Sequence, residues 1–474
     1  MSAAIDDTKA KFITGSTMRH VISMTVTGSI GLIAVFFVDA LNLLYISMLG
    51  KEELSASIGF ASTLLFFTTS VAIGLTIGTS ALVARALGRG DRDAAAKAGG
   101  AALVLSGVIV TAVTLITLPF LSPLVSFLGA TGRTHELTVN YMQWVLPSSP
   151  LIAIGMAASG ILRGVGDAKR AMMITLIGAI IAAILDPILI FGLGLELKGA
   201  AITTIVSRAA ILVVGLYGAW FVHRLVQIDS LSNIKQVSMP FFRIGFPAIL
   251  TQFATPVGNA YVTIEMAKFG DDAVAGWAII GRLVPVVFGV IFALSGSVGP
   301  ILGQNYGAKL YHRLYETMRD ALIFTAIYTV LAWALLALFH TQIANLFGAT
   351  GLTGELVNFF CLFVAGSFLF NGALFVANAA FNNLGYPTLS TVFNWGRATL
   401  GTFPFVWVGA HYYGAIGVMA GWGLGSVIFG IAAIIACFRV IAQIEKKGAS
   451  GNTDVLPDLP STAHSPFTSA KAAL

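Results

Sequence analysis

Charge is the scarcest property of this sequence. Asp, Glu, Lys and Arg make up only 10% of its 474 residues, where a soluble domain carries about 25%. Hydrophobic residues reach 57% and the mean hydropathy is +0.88. A soluble core of this length has no use for so much apolar surface, so the soluble globular class is excluded. Cysteine is nearly absent too. Cys361 and Cys437 both lie in apolar runs, which rules out a disulfide framework and a cysteine-based metal site. There is no phosphate-binding loop, no zinc spacing and no nucleophile elbow, so no enzyme and no cofactor is expected. The net charge is +6. Its bases are spread through short loops rather than gathered in a soluble domain, which argues against nucleic acid. The first apolar run, after His20, is too long for a cleavable signal.

Long apolar runs are what the chain has in abundance. Twelve are each long enough to cross about 30 Å of hydrocarbon: 19–48, 55–86, 98–127, 139–162, 171–194, 199–222, 243–268, 274–304, 320–346, 357–381, 388–410 and 414–440. The expected fold is an all-α integral membrane protein. Residues 1–17 read as a polar N-terminal segment, 18–222 and 243–442 as six-helix lobes, 223–242 as a linker and 443–474 as a disordered tail. With the N-terminus inside, 20 Lys and Arg fall on the inner side. Four fall outside (Lys51, Arg133, Lys198, Lys268), and Arg208, Arg282 and Arg397 lie within runs. That asymmetry predicts both termini in the cytoplasm, and the expected location is the cytoplasmic (inner) membrane.

The two lobes are copies. Gly129-Ala130-Thr131-Gly132-Arg133-Thr134-His135-Glu136-Leu137 returns as Gly348-Ala349-Thr350-Gly351-Leu352-Thr353-Gly354-Glu355-Leu356, 219 residues later. Gly199-Ala200 falls opposite Gly414-Ala415. An internal repeat of this length marks a duplication. Six helices is an even number, so both copies share one orientation. Such folds place substrate between the halves and work by alternating access. Within each loop, Gly-x-x-Gly stops one helix and Thr-x-Glu-Leu starts the next with a cap.

Ionisable residues inside membrane runs are costly and are functional candidates. Asp39 shares a helical face with Asn42 and lies about 15 Å below the outer end of its helix. Asp186 lies about 12 Å deep, and Thr204 about 8 Å. Loss of hydration and mutual repulsion both oppose the charged form of the two acids, which suits groups that take and release protons. Pro187 deletes the helix bond to the Ala183 carbonyl and allows a bend beside Asp186. Arg208, one turn below Thr204, is an alternative partner that would neutralise either aspartate. Glu265 either pairs with Arg282 or attracts a cationic substrate. Arg397 either lines the cavity or closes a salt bridge. Helix 10 carries Phe359, Phe360, Phe363, Phe368, Phe370 and Phe375, a row suited to packing or to gripping a flat drug.

These features together resemble the multidrug and toxic compound extrusion (MATE) family. The resemblance rests on Val38-Asp39 before Leu49-Gly50, Ala84-Arg85-Ala86-Leu87-Gly88-Arg89-Gly90-Asp91, Leu162-Arg163-Gly164-Val165-Gly166-Asp167, Leu185-Asp186-Pro187 and Gly245-Phe246-Pro247. It implies a monomer of two lobes in a V that exports hydrophobic, mostly cationic compounds by antiport against H+ or Na+. In the DinF-like branch, first-lobe acids matching Asp39 and Asp186, with Thr204, form the cation site. In the NorM-like branch acids on helices 7 and 10 hold Na+. Those positions match Thr255 and Asn371, neither of which is an acid, so the resemblance is closer to the DinF-like branch. Met24 stands where a proline is common, and Ala182 where asparagine is. A lipid-linked precursor flippase of the same superfamily is the alternative. It needs a basic central cavity.

Overall fold

The computed structural model describes residues 10–449, and every regular element among them is helical. A 3-10 turn at Lys11–Ile13 leads into α1 (Thr17–Ser47), α2 (Glu52–Gly88), α3 (Arg92–Phe127), α4 (Gly132–Val165), α5 (Ala168–Gly192) and α6 (Glu196–Val222). The second set is α7 (Leu231–Ala267), α8 (Asp271–Gly307), α9 (Tyr311–Leu338) and α10, a short helix Gly351–Leu362 that continues as Val364–Leu384. α11 opens at Pro387–Ala398. The final helical stretch, Phe403–Ala449, breaks at Gly414, whose backbone (φ 62°, ψ −145°) is non-helical. Residues before Gly414 complete α11 and those after it form α12.

Among the described residues, ten stretches are long and apolar enough to cross a bilayer. One of them, Pro387–Gly448, contains both α11 and α12. α7 is long enough at 37 residues but more polar. The twelve expected helices are therefore all present.

Left-handed backbone repeats with the sequence. Gly129 and Gly348 have φ of 97° and 61°, Gly132 and Gly351 54° and 52°, and Gly166 and Gly385 92° and 99°. Gly90 (78°) is matched by Lys309 (60°), a residue whose Cβ disfavours that region. Each pair lies 219 residues apart, so the duplication holds at the level of single turns.

The helices form two lobes, α1–α6 and α7–α12. Toward the face that carries the two repeated loops, each core is drawn from one lobe. One gathers Ile46, Leu54, Met142, Leu146 and Ile190, and the other Val262, Met266, Phe288, Phe360 and Trp422. Toward the opposite face the cores mix lobes. Phe12, Val21 and Met24 pack with Leu294, Val298 and Phe381, while Val237, Phe241 and Ile244 pack with α2, α3 and α4. The lobes are thus joined at the terminal face and parted at the loop face.

Four expectations change. Residues 10–17 are not a loose polar segment. Phe12 is fully buried, and its N–H donates to Gln304 Oε1 at 2.8 Å. Arg313 donates to the carbonyls of Phe12 and Gly15, and Lys11 to that of Gly166. Burying one phenylalanine in this socket orders the segment. The stretch 223–242 is largely helix, because α7 starts at Leu231 with Ser230 accepting the N–H of Asn233. α12 runs to Ala449, past the expected start of the tail, and the rest of 443–474 lies outside the described residues. Residues 1–9 do as well. In the repeated loops the helices start at Gly132 and Gly351, two residues before the expected cap, and neither Thr131 nor Thr350 makes a side-chain cap bond.

Candidate functional site

α5 is fixed at its terminal-face end by Asp167. This N-cap accepts the backbone N–H of Arg170 at 3.0 Å and pairs with the Arg170 guanidinium at 2.6 Å and the His223 ring at 2.9 Å. Burial alone would raise the Asp167 carboxyl. The His223 ring, the Arg170 N–H and the Arg170 guanidinium together hold it well below the usual carboxylate range. The far end of the same helix carries Asp186. Pro187 follows, and the helix then opens into a π turn over Ile188–Gly192.

Asp186 is 1% exposed. Its Oδ2 accepts Asn42 Nδ2 from α1 at 2.8 Å, and its Oδ1 has no partner. Thr203, buried on α6, lies against the Asp186 carboxyl. Asp39, a turn before Asn42, is exposed and within electrostatic range of Asp186. The structure therefore brings Asp39, Asn42 and Asp186 together as the sequence suggested. Thr204 donates its hydroxyl to the Ala200 carbonyl at 2.9 Å and lies against Tyr141. Tyr141 on α4, buried and within electrostatic range of Arg208, Asp186 and Asp39, joins the group. Sequence reasoning missed Tyr141 and Thr203, since neither is charged and only packing brings them to Asp186.

Arg208 pairs with neither aspartate. Its Nη1 points to the Val145 carbonyl at 3.0 Å, Ser148 Oγ at 2.9 Å and Ser149 Oγ at 3.3 Å. A 3-10 turn at Leu146–Ser148 in α4 presents these acceptors. Glu265 does not pair with Arg282. Lys268, one turn on, donates to both its oxygens at 2.7 and 2.8 Å. Arg282 is exposed in the membrane part of α8, and Arg397 is buried with its Nη2 on Thr255 Oγ1 at 3.2 Å.

The cleft between the lobes has an aromatic floor. Phe36 of α1 meets Phe292 of α8 with ring centroids 6.4 Å apart, Phe292 meets Phe375 of α10 at 5.6 Å, and Phe67 of α2 meets Phe253 of α7 at 5.6 Å. The expected Phe row of α10 divides. Phe368 stacks on Phe288 at 4.1 Å inside the second lobe, and Phe363 is exposed.

Two repeated six-helix lobes, parted at one face, with unpaired ionisable groups beside the cleft, define a membrane transporter. The chain belongs to the MatE family, whose model matches residues 29–188 and 247–408. It is 28% identical over 433 residues to the FAD transporter of Shewanella oneidensis, covering 90% of this chain and 96% of that protein. It is 26% identical over 407 residues to the multidrug export protein MepA of Staphylococcus haemolyticus, covering 84% and 88%. In three dimensions it matches a point mutant of the Vibrio cholerae MATE transporter VcmN with a TM-score of 0.85, at 26% identity and over 90% and 97% of the two chains. The expected family and fold are borne out.

Proposed function

We propose that this transporter exports hydrophobic organic compounds across the inner membrane in exchange for protons, in the manner inferred above for the DinF-like branch. The observation that carries the reading is Asp186: a buried carboxyl with one oxygen held by Asn42, the other unpartnered, and Asp39 beside it. The unpartnered oxygen is a ready proton acceptor. Asp39, being exposed, is the group that exchanges protons with water. Protonation removes the mutual repulsion of the two acids and changes how α1 and α5 hold each other. The π turn after Pro187 is where α5 gives. A proton bound in one arrangement more tightly than in the other shifts the lobes by that difference alone. The similarity to MepA and to the FAD transporter supports export of organic molecules, and the aromatic floor supports hydrophobic ones. Attraction of cations by Glu265 is offset by Lys268, so a cationic preference has no carrier in the second lobe.

The test uses reconstituted proteoliposomes with imposed gradients. Asp39→Asn and Asp186→Asn are each expected to abolish ethidium transport driven by a pH gradient. Undiminished transport in both variants overturns the proton role. Transport that follows Na+ at clamped pH makes the coupling ion Na+.

A further inference from the structure

We infer that the second lobe holds a binding site for an anionic group, a carboxylate or phosphate, of the exported molecule, with Arg397 and Thr255 as its ligands. The inference deepens the proposed export function and rests on it for the direction of transport only.

Arg397 is 6% exposed, on α11. Its guanidinium has one partner, Thr255 Oγ1 at 3.2 Å, and its Nε has none. No carboxylate among the described residues pairs with it. A buried arginine without a counter-charge is costly, and such groups in membrane helices mark ligand pathways. The contrast with Arg208 is informative. There the sequence supplies a carbonyl and two hydroxyls, and the charge is dressed for a structural role. Around Arg397 it does not.

Helix register adds a second unpartnered group. α10 and α11 run antiparallel, and Ser390 donates to the Asn378 carbonyl and to Asn382 Oδ1. Seven residues along α11 from Ser390 is Arg397, and seven back along α10 from Asn378 is Asn371. This places buried Asn371 at the level of Arg397; its unpartnered Oδ1 is an acceptor, and what it offers an anion is its amide N–H.

The site opens to the cleft through Thr255. Thr255, Asn259 and Thr263 follow one another at four-residue spacing on α7, and all three are exposed. A polar stripe at membrane depth does not face lipid. Closer to the terminal face, Gly245 and Ile249 touch α2 at Gly78 and Gly74, so α7 borders the first lobe. Arg282 stands on the corresponding side of α8. It precedes by seven residues Gly289, which packs against Ile33 of α1, and it has no partner among the described residues. A molecule in the cleft therefore meets Arg282 first and Arg397 deeper.

The first copy carries no arginine at the matching positions. At the repeat offset Arg397 falls opposite Gly178, and Arg282 opposite Ser62 or Thr63. Asp39 falls opposite Asn259. The two membrane acids belong to the first lobe, and Arg282 and Arg397 to the second. Protons and an anionic substrate group can thus occupy different lobes without competing for one set of ligands.

The test is equilibrium binding, which needs no ion gradient. Purified protein is titrated with flavin mononucleotide, with riboflavin, which has the same ring without the phosphate, and with ethidium, each followed by fluorescence. Wild type is expected to bind flavin mononucleotide at least tenfold more tightly than riboflavin. Arg397→Gln is expected to erase that difference while leaving riboflavin and ethidium unchanged. Thr255→Ala, which keeps the charge, is expected to reduce the preference in part, and it reads the same site if Arg397→Gln fails to fold. No preference for the phosphate in wild type, or the same preference in both variants, overturns the site. Protection by inorganic phosphate alone, with no flavin mononucleotide preference, shows a resident counter-ion and overturns the substrate role. Loss of coupling in Asp39→Asn leaves this binding intact, so the two readings fail separately.

Discussion

Asn42 and Asp186 come from different helices, and a single hydrogen bond at 2.8 Å joins α1 to α5 at the depth of the acids. Asn42→Ala leaves Asp186 buried with neither oxygen satisfied, a loss of about 1–3 kcal/mol. The expected outcome is a lower unfolding temperature in detergent, and an unchanged one would mean that the bond does not hold α1 and α5 together. Asp167 gives a second residue-scale prediction, at the other end of α5. Its folded carboxyl titrates below its unfolded value, so its contribution is complete above the ordinary carboxylate range and is lost as pH falls through the folded value. Asp167→Asn is therefore expected to destabilise by about 1–2 kcal/mol near neutrality, as for a lost cap. The gap between variant and wild type should close only below about pH 4. Thermal unfolding from pH 7 down to pH 3 reads this directly. The acids are legible in the sequence as outliers in apolar runs. The partners that decide their roles, Thr203, Tyr141 and Lys268, are not. Charge counting assigns Lys268 to the far loop, although it sits one turn from Glu265 and reaches it by folding back.

At the scale of elements, α11 and α12 pack closely through glycine. A Cβ on Gly409 or Gly417 would overlap the backbone of the other, and one on Gly425 would overlap the Gly401 carbonyl. The turn between the two helices is Gly414 at φ 62°. These contacts are backbone against backbone, so no side-chain rotation relieves them. Gly425→Ala is expected to cost about 3 kcal/mol, the upper end for overpacking. Size-exclusion behaviour and unfolding temperature would show it, and normal values for both would contradict the tight hairpin. The apolar run 414–440 announces α12. The preceding turn of backbone at 399–402 and the length of α12 to Ala449 do not show in hydropathy. Hydropathy measures lipid exposure, and helices continue beyond lipid wherever they find partners.

At the scale of the molecule, the lobes touch through backbone at the terminal face. Arg85 of α2 donates to the carbonyls of Asn382 and Asn383 on α10, and Gln304 of α8 to that of Gly164 on α4. A Cβ on Gly303 would lie 2.9 Å from that of Ala84 in the opposite lobe. The proposed proton-for-substrate exchange requires this face to open. The double variant Ala84→Cys and Gly303→Cys is expected to lose transport on oxidation and regain it on reduction, with the native Cys361 and Cys437 buried and out of reach. Transport that survives complete cross-linking would show that the lobes need not part here.

The sequence by itself determined the membrane class, the twelve helices, the duplication and the two aspartates. Each depends on apolar periodicity, on local turn chemistry, or on a charge standing out against an apolar background, and all of these are local. Only the tertiary structure decided which charges are neutralised. Arg208 is satisfied by a turn about 60 residues away and Glu265 by a lysine one turn on, while Arg397 has a single hydroxyl. Pairing depends on which helices pack side by side and at what register, and no count along the chain carries that information.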